Sequence, residues 1–174
     1  WARTLDSILE LEPERLACFG YAHLPQRMKH QRALPAEALP SAETRLRMLI
    51  AANTFFTEHG YEAIGMDHFA RPDDELAKAR RDGRLWRNFM GYTTTRGLEL
   101  LALGCSAISE TERLFCQNEG APERYAELVE AGENVLVRGH QLDDDDRYRK
   151  ALISDLMCNL EIRPQALGAE MGIE

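Results

Sequence analysis

Two apolar runs, RLACFGYAHLP (15–25) and YEAIGMD (61–67), stand on either side of a segment with helical spacing, and that order restricts the fold more than any other feature. Strand, helix and strand in succession imply parallel strands joined by a right-handed crossover, hence part of an α/β sheet or barrel. The first run is apolar on both faces and closed by Pro25, as in a buried parallel strand. The helix between them is bounded by Ser41 as N-cap and by Gly60 past its end, with Leu46, Leu49, Ile50 and Phe56 predicted to form its buried stripe. Ahead of these, Leu5, Ile8 and Leu9 predict a first helix that ends before Glu12 and Pro13, because the residue before a proline avoids the α region.

Residues 23–40 form a long connection broken by Pro25, Pro35 and Pro40, of the kind that serves as a lid or binding loop or else is disordered. Beyond the second strand, Asp73 to about Asp82 reads as a short helix and GLELLALG (97–104) as a helix running into CSAIS (105–109). After about Glu112 the pattern changes. APERYAELVEAG (121–132) predicts a helix, NVLVRGHQL (134–142) a short strand, and DRYRKALISDLMCNLEI (146–162) a helix with Tyr148, Leu152, Leu156 and Leu160 on one stripe. The expected division is therefore an α/β portion over 1–112 and the beginning of a small, mainly helical domain over 113–174.

Composition narrows the partners. The formal charge is −8 with basic residues scattered among acidic ones, so no broad positive face is available for nucleic-acid phosphates or anionic lipid. No run approaches the roughly 18 apolar residues of a membrane span, and the N-terminal WARTLDSILELEPERL is unlike a signal peptide, so the cytoplasm is expected. The chain starts at Trp1 within a helical pattern, which reads as a segment of a longer protein. Cysteines 18, 105, 116 and 158 have neither zinc-ligand spacing nor the density of a disulfide framework, and read as free thiols.

The polar residues sort by position. His23 follows the first strand and His68 the second, and carboxyl ends of strands are where parallel α/β proteins bind ligands. Tyr21, His23, Asp67, His68 and Arg71 are accordingly candidates for one pocket rim. Asp73 and Asp74 read as the cap and first turn of the helix that follows, with Pro72 setting its entry; Asp143–Asp146 read as a helix cap in preference to a cation site. No nucleophile elbow, phosphate-cradling glycine loop or dinucleotide fingerprint is present.

Taken together, GYAHLP (20–25), IGMDHFARPDDELA (64–77), RNFMGYTT (87–94) and LGCSAIS (103–109) closely resemble the bacterial oxygen-independent coproporphyrinogen III oxidase (dehydrogenase) family, in its order and spacing. The resemblance implies the C-terminal portion of a partial (β/α) radical S-adenosylmethionine barrel followed by the start of a helical domain. It implies an oxidoreductase of haem biosynthesis that converts two propionates of coproporphyrinogen III to vinyl groups with release of carbon dioxide. The family carries a [4Fe-4S] cluster on a CxxxCxxC motif, which this chain lacks, so the segment alone should be inactive. It also binds two S-adenosylmethionine molecules, and carrying over its motifs makes Ala22 and Ile108 contacts of the second. An electron donor for the cluster and a monomeric state are expected as well. Met90 stands where the family usually has Gln. The tetracarboxylate substrate calls for cations, of which Arg27, Lys29, Arg32, Arg71 and Arg87 are at hand. Rival readings are a haem chaperone or haem-degrading relative of the same radical family, and a stand-alone non-catalytic binding module.

Overall fold

Leu5, Ile8 and Leu9 do form a helical face: α1 (Ala2–Glu10) buries Leu5 and stops one residue before Glu12, whose φ of +46° turns the chain toward Pro13. The computed structural model describes residues 1–172, and the chain divides into two compact units, Trp1–Lys78 and the remainder from Ala79.

In the first unit, β1 (Arg15–Ala17), β2 (Glu62–Ala63) and β3 (His68–Ala70) form one sheet in the order β1-β3-β2. Both outer strands run antiparallel to β3, so β1 and β2 are parallel to one another as the strand-helix-strand order predicts, but they are not neighbours, because β3 lies between them. The cause is local. Ile64 to Asp67 make a tight turn, with the Ile64 amide donating to the His68 carbonyl at 2.8 Å. An antiparallel pair needs only a short link of this kind, and β3 then inserts between β1 and β2. The 15–25 run is also shorter as a strand than predicted. Its last rung is the Cys18 amide on the Asp67 carbonyl (2.7 Å), and beyond it the chain leaves the sheet.

Helix α2 (Ala42–Glu58) begins where the sequence places it, with Ser41 Oγ accepting from the Thr44 amide at 3.1 Å, and it is followed by Gly60 at φ +84°. Its buried face agrees with the predicted stripe at Phe56 and departs from it elsewhere. Ala52 and Phe56 are buried, whereas Leu46 and Ile50 are 57% and 56% exposed. Phe56 meets Tyr61 edge-on at 5.8 Å and Phe69 at 5.3 Å between ring centroids, and these rings with Leu5 and Ala52 form the core of the unit.

Asp74 opens α3 (Glu75–Arg81): its carboxylate accepts from the Leu76 amide at 2.7 Å and from Arg15 Nε at 2.5 Å, so the cap falls on Asp74, one residue later than the expected Asp73. In the second unit, β4 (Trp86–Asn88) and β5 (Gly91–Thr93) form a hairpin, and β6 (Ile108–Glu110), β7 (Leu114–Asn118) and β8 (Leu136–Gln141) an antiparallel sheet in sequence order. Residue 112 lies in the β6–β7 turn. Segment 97–104 is not the predicted helix. Gly97 and Gly104 have φ of +75° and +107°, Leu100 bridges Glu110, and from residue 99 to 104 burial alternates residue by residue as in a strand. Helix α4 (Pro122–Glu130) starts at its proline, and α5 (Asp144–Asn159) starts in a capping box between Asp143 and Asp146. Its buried positions are Ser154 and Cys158; Leu156 and Leu160 of the predicted stripe are exposed. A last helix, α6 (Pro164–Met171), follows.

Truncating Phe56→Ala should cost about 3–5 kcal/mol in urea unfolding followed by circular dichroism, since it empties the aromatic core. Ile50→Ala on the exposed face of the same helix should stay within about 0.5 kcal/mol of the parent.

Candidate functional site

The segment that leaves the sheet after Cys18 borders a groove of about 570 Å³ in the first unit. Cys18, Phe19, Gly20 and Tyr21 form one wall, Met66 and Asp67 another, and α2 contributes Leu46 and Leu49. This explains why α2 keeps those leucines out of the core: they face the groove. The lining is mainly apolar with carboxylate and guanidinium groups at Asp67 and Arg45, a composition suited to a mostly apolar ligand with a few polar handles.

Tyr21 is half-exposed, and its ring centroid lies 6.0 Å from that of His23. His23 is six residues beyond the end of β1, so it does not sit immediately after a strand as predicted. Its Nδ1 is buried and has no hydrogen-bond partner among the described residues. His68 is likewise not past a strand end: it is the first residue of β3, opposite Ala17. Its Nδ1 lies 2.6 Å from Asp67 Oδ1, so the aspartate fixes the orientation of the ring. Asp67 and Tyr21 are thus joined in one groove, with His68 held by the first of them.

Arg71 is not brought to this group. It follows β3 at the end away from His68, where its amide donates to the Glu14 carbonyl at 2.9 Å. Its guanidinium lies 4.8 Å above the ring of Tyr61, whose hydroxyl donates to the Pro13 carbonyl at 2.7 Å. Three residues of strand put Arg71 roughly 10 Å along β3 from His68. Asp73 is exposed, and Asp74 is spent on the helix cap and Arg15.

Sequence reasoning missed Gln31. It lies in a 3-10 turn (Lys29–Ala33) inside the long connection, is only 7% exposed, and holds Ala22 and Leu24 through both ends of its amide. A single glutamine among His30, Arg32 and Lys29 carries no periodic signal that would have marked it.

Ile108 belongs to the second unit, as the first residue of β6 opposite Gln117. The turn before it is tied down on both sides: Asn118 Nδ2 donates to the Gly104 carbonyl (2.9 Å) and Gln117 Nε2 to the Ser106 carbonyl (2.9 Å). Two residues on, the buried Glu110 pairs with Lys150 at 2.8 Å and accepts from the Phe89 amide at 3.2 Å, fixing the β4–β5 turn. Met90 at the tip of that turn is 77% exposed.

Among the described residues no group of three or more His, Cys, Asp or Glu could hold a metal ion. Cys105 is exposed, Cys18 and Cys116 are half-buried and Cys158 is buried, all with free thiols. This donor set does not fit an iron–sulfur cluster, whose thiolate ligands must be gathered around one centre. The Cys18 thiol is pushed above its ordinary value first by burial and then by the negative charge of Asp67.

No family model matches the chain. It is similar throughout its length to proteins called oxygen-independent coproporphyrinogen III oxidase: 44% identical to that of Pseudomonas aeruginosa, over 100% of this chain and 38% of the relative. The Escherichia coli K12 protein of that name is 45% identical over 93% of this chain and 35% of the relative. A solved structure described as coproporphyrinogen III oxidase from Escherichia coli, a radical SAM enzyme, superposes with a TM-score of 0.90 at 43% identity, covering 99% of this chain and 40% of that one. The chain thus spans well under half the length of the relatives it matches. No helix among the described residues is long and apolar enough to cross a membrane.

Because Asp67 disfavours the Cys18 thiolate, Asp67→Asn should speed alkylation of Cys18 by iodoacetamide near pH 8 while leaving Cys105 unchanged. Peptide mass spectrometry after a short pulse measures both.

Proposed function

The chain is homologous over its whole length to the oxygen-independent coproporphyrinogen III oxidases, and we infer that it is part of a radical S-adenosylmethionine enzyme of that kind. Its likeness across the entire chain, in sequence and in fold together, is the observation that carries this reading. The complete protein would act in haem biosynthesis in the cytoplasm, oxidatively decarboxylating two propionates of coproporphyrinogen III to vinyl groups. S-adenosylmethionine and a [4Fe-4S] cluster supply the radical chemistry of this class. Among the described residues no donor set fits the cluster, so its ligands would come from elsewhere in the complete protein. Residues 1–112 would supply later barrel elements and 113–174 the start of the C-terminal domain, with electrons drawn from a separate donor.

The chain's own part is to bind and orient. Ala22 and Ile108 are assigned to the second S-adenosylmethionine. In support, His23 carries a buried and unpartnered ring nitrogen directly beside Ala22, the kind of group that a polar ligand satisfies. Tyr21 and the Asp67–His68 pair are assigned to the substrate-facing wall. The Asp67 carboxylate, 2.6 Å from His68 Nδ1, holds the ring in one orientation, and this oriented pair is the polar group the wall offers a substrate. Arg71 is assigned a supporting role through Tyr61.

Incubated anaerobically with reductant, S-adenosylmethionine and coproporphyrinogen III, the longer protein that contains this chain should release two carbon dioxide molecules per porphyrinogen. Stoichiometric haem binding without decarboxylation would instead support the chaperone. In the active protein, His68→Ala should raise KM for the porphyrinogen roughly tenfold or more, the loss of a hydrogen bond to a charged group. Arg71→Gln should lower the thermal midpoint with KM unchanged; a KM rise equal to that of His68→Ala would return Arg71 to the substrate.

A further inference from the structure

A buried glutamine in a loop of exposed cations requires a reason, because a primary amide taken out of water needs partners for both its ends. Gln31 has them. Its Nε2 donates to the Ala22 carbonyl at 3.0 Å, and its Oε1 accepts from the Leu24 amide at 2.5 Å. The two bonds bracket His23, fixing the backbone on either side of the residue whose Nδ1 is buried and unpartnered.

Gln31 is itself anchored. Its amide donates to Met28 O at 2.9 Å and its carbonyl accepts from Leu34 N at 3.1 Å, while Arg27 N and Met28 N both turn back onto Leu24 O. The polypeptide from Phe19 to Leu24 has left the sheet at the Cys18 rung, so no ladder holds it. Resting on the reading above, we propose that Gln31 is a positioning residue: it clamps Ala22–Leu24 so that Ala22 and His23 are presented to S-adenosylmethionine. The clamp demands one donor and one acceptor at fixed places. Methionine has neither in usable strength, and an ionised glutamate has no donor for the Ala22 carbonyl.

The test uses the complete cluster-containing protein, with bound S-adenosylmethionine measured by anaerobic equilibrium dialysis. Gln31→Met should bind at one of the two sites roughly tenfold more weakly, as expected for losing paired hydrogen bonds in a buried place. Gln31→Glu supplies a second reading that survives if Gln31→Met folds poorly. Its carboxylate is unfit when ionised, but when protonated it can donate to Ala22 O and accept from Leu24 N. Its affinity should therefore recover toward the parent as pH falls from 8 to 6, after normalising to the parent at each pH. Parental affinity in both variants across that range, with only thermal stability altered, would overturn the proposal and leave the family reading intact. A parent protein that binds no S-adenosylmethionine would remove the family reading and this inference together.

Discussion

One backbone hydrogen bond, from the Cys18 amide to the Asp67 carbonyl, marks where the first sheet ends and the candidate site begins. On the sheet side of that rung, β3 is gripped by β1 and β2, and its Phe69 packs in one cluster with Phe56 and Tyr61. On the other side the chain carries Tyr21, Ala22 and His23 with no strand to pair with. Regular structure thus positions the start of the segment, and side-chain hydrogen bonds must position the rest. Asp67 stands at the junction: its carbonyl closes the ladder, its carboxylate orients His68, and its charge bears on the Cys18 thiol.

What the sequence made legible was local. The Ser41 cap, the Asp74 cap, Pro122 at the start of α4 and the acidic cap of α5 each satisfy backbone groups within one turn, and each is encoded by the residue that does it. Which face of a helix is buried is not encoded so locally. Of the predicted stripe Phe56 fills the core, joined by Ala52, whereas Leu46 and Leu49 face the groove and Ile50 is exposed. The order of elements gave the parallel direction of β1 and β2, but the insertion of β3 between them depends on a four-residue turn that order alone does not reveal. In 97–104, leucine-rich composition suggested a helix; Gly97, Gly104 and the alternation of burial decide for extended chain.

The site residues divide along the same line. Position near strand ends pointed to Tyr21, His23, Asp67 and His68, and the resemblance to Ala22 and Ile108; the structure groups Tyr21 with Asp67 and holds His68 on the latter. Arg71 shares their motif but is turned to Tyr61 by the direction of β3. Gln31 belongs to none of the motifs; only its burial and its two partners in space reveal it.

Amide hydrogen exchange on the complete protein, with and without S-adenosylmethionine, tests most directly whether this loosely paired segment is the ligand-facing one. Slower exchange on ligand binding in peptides covering 18–24 and 105–109, with the α2 amides unchanged, is the predicted result. Exchange in both peptides that is indifferent to the ligand would contradict it.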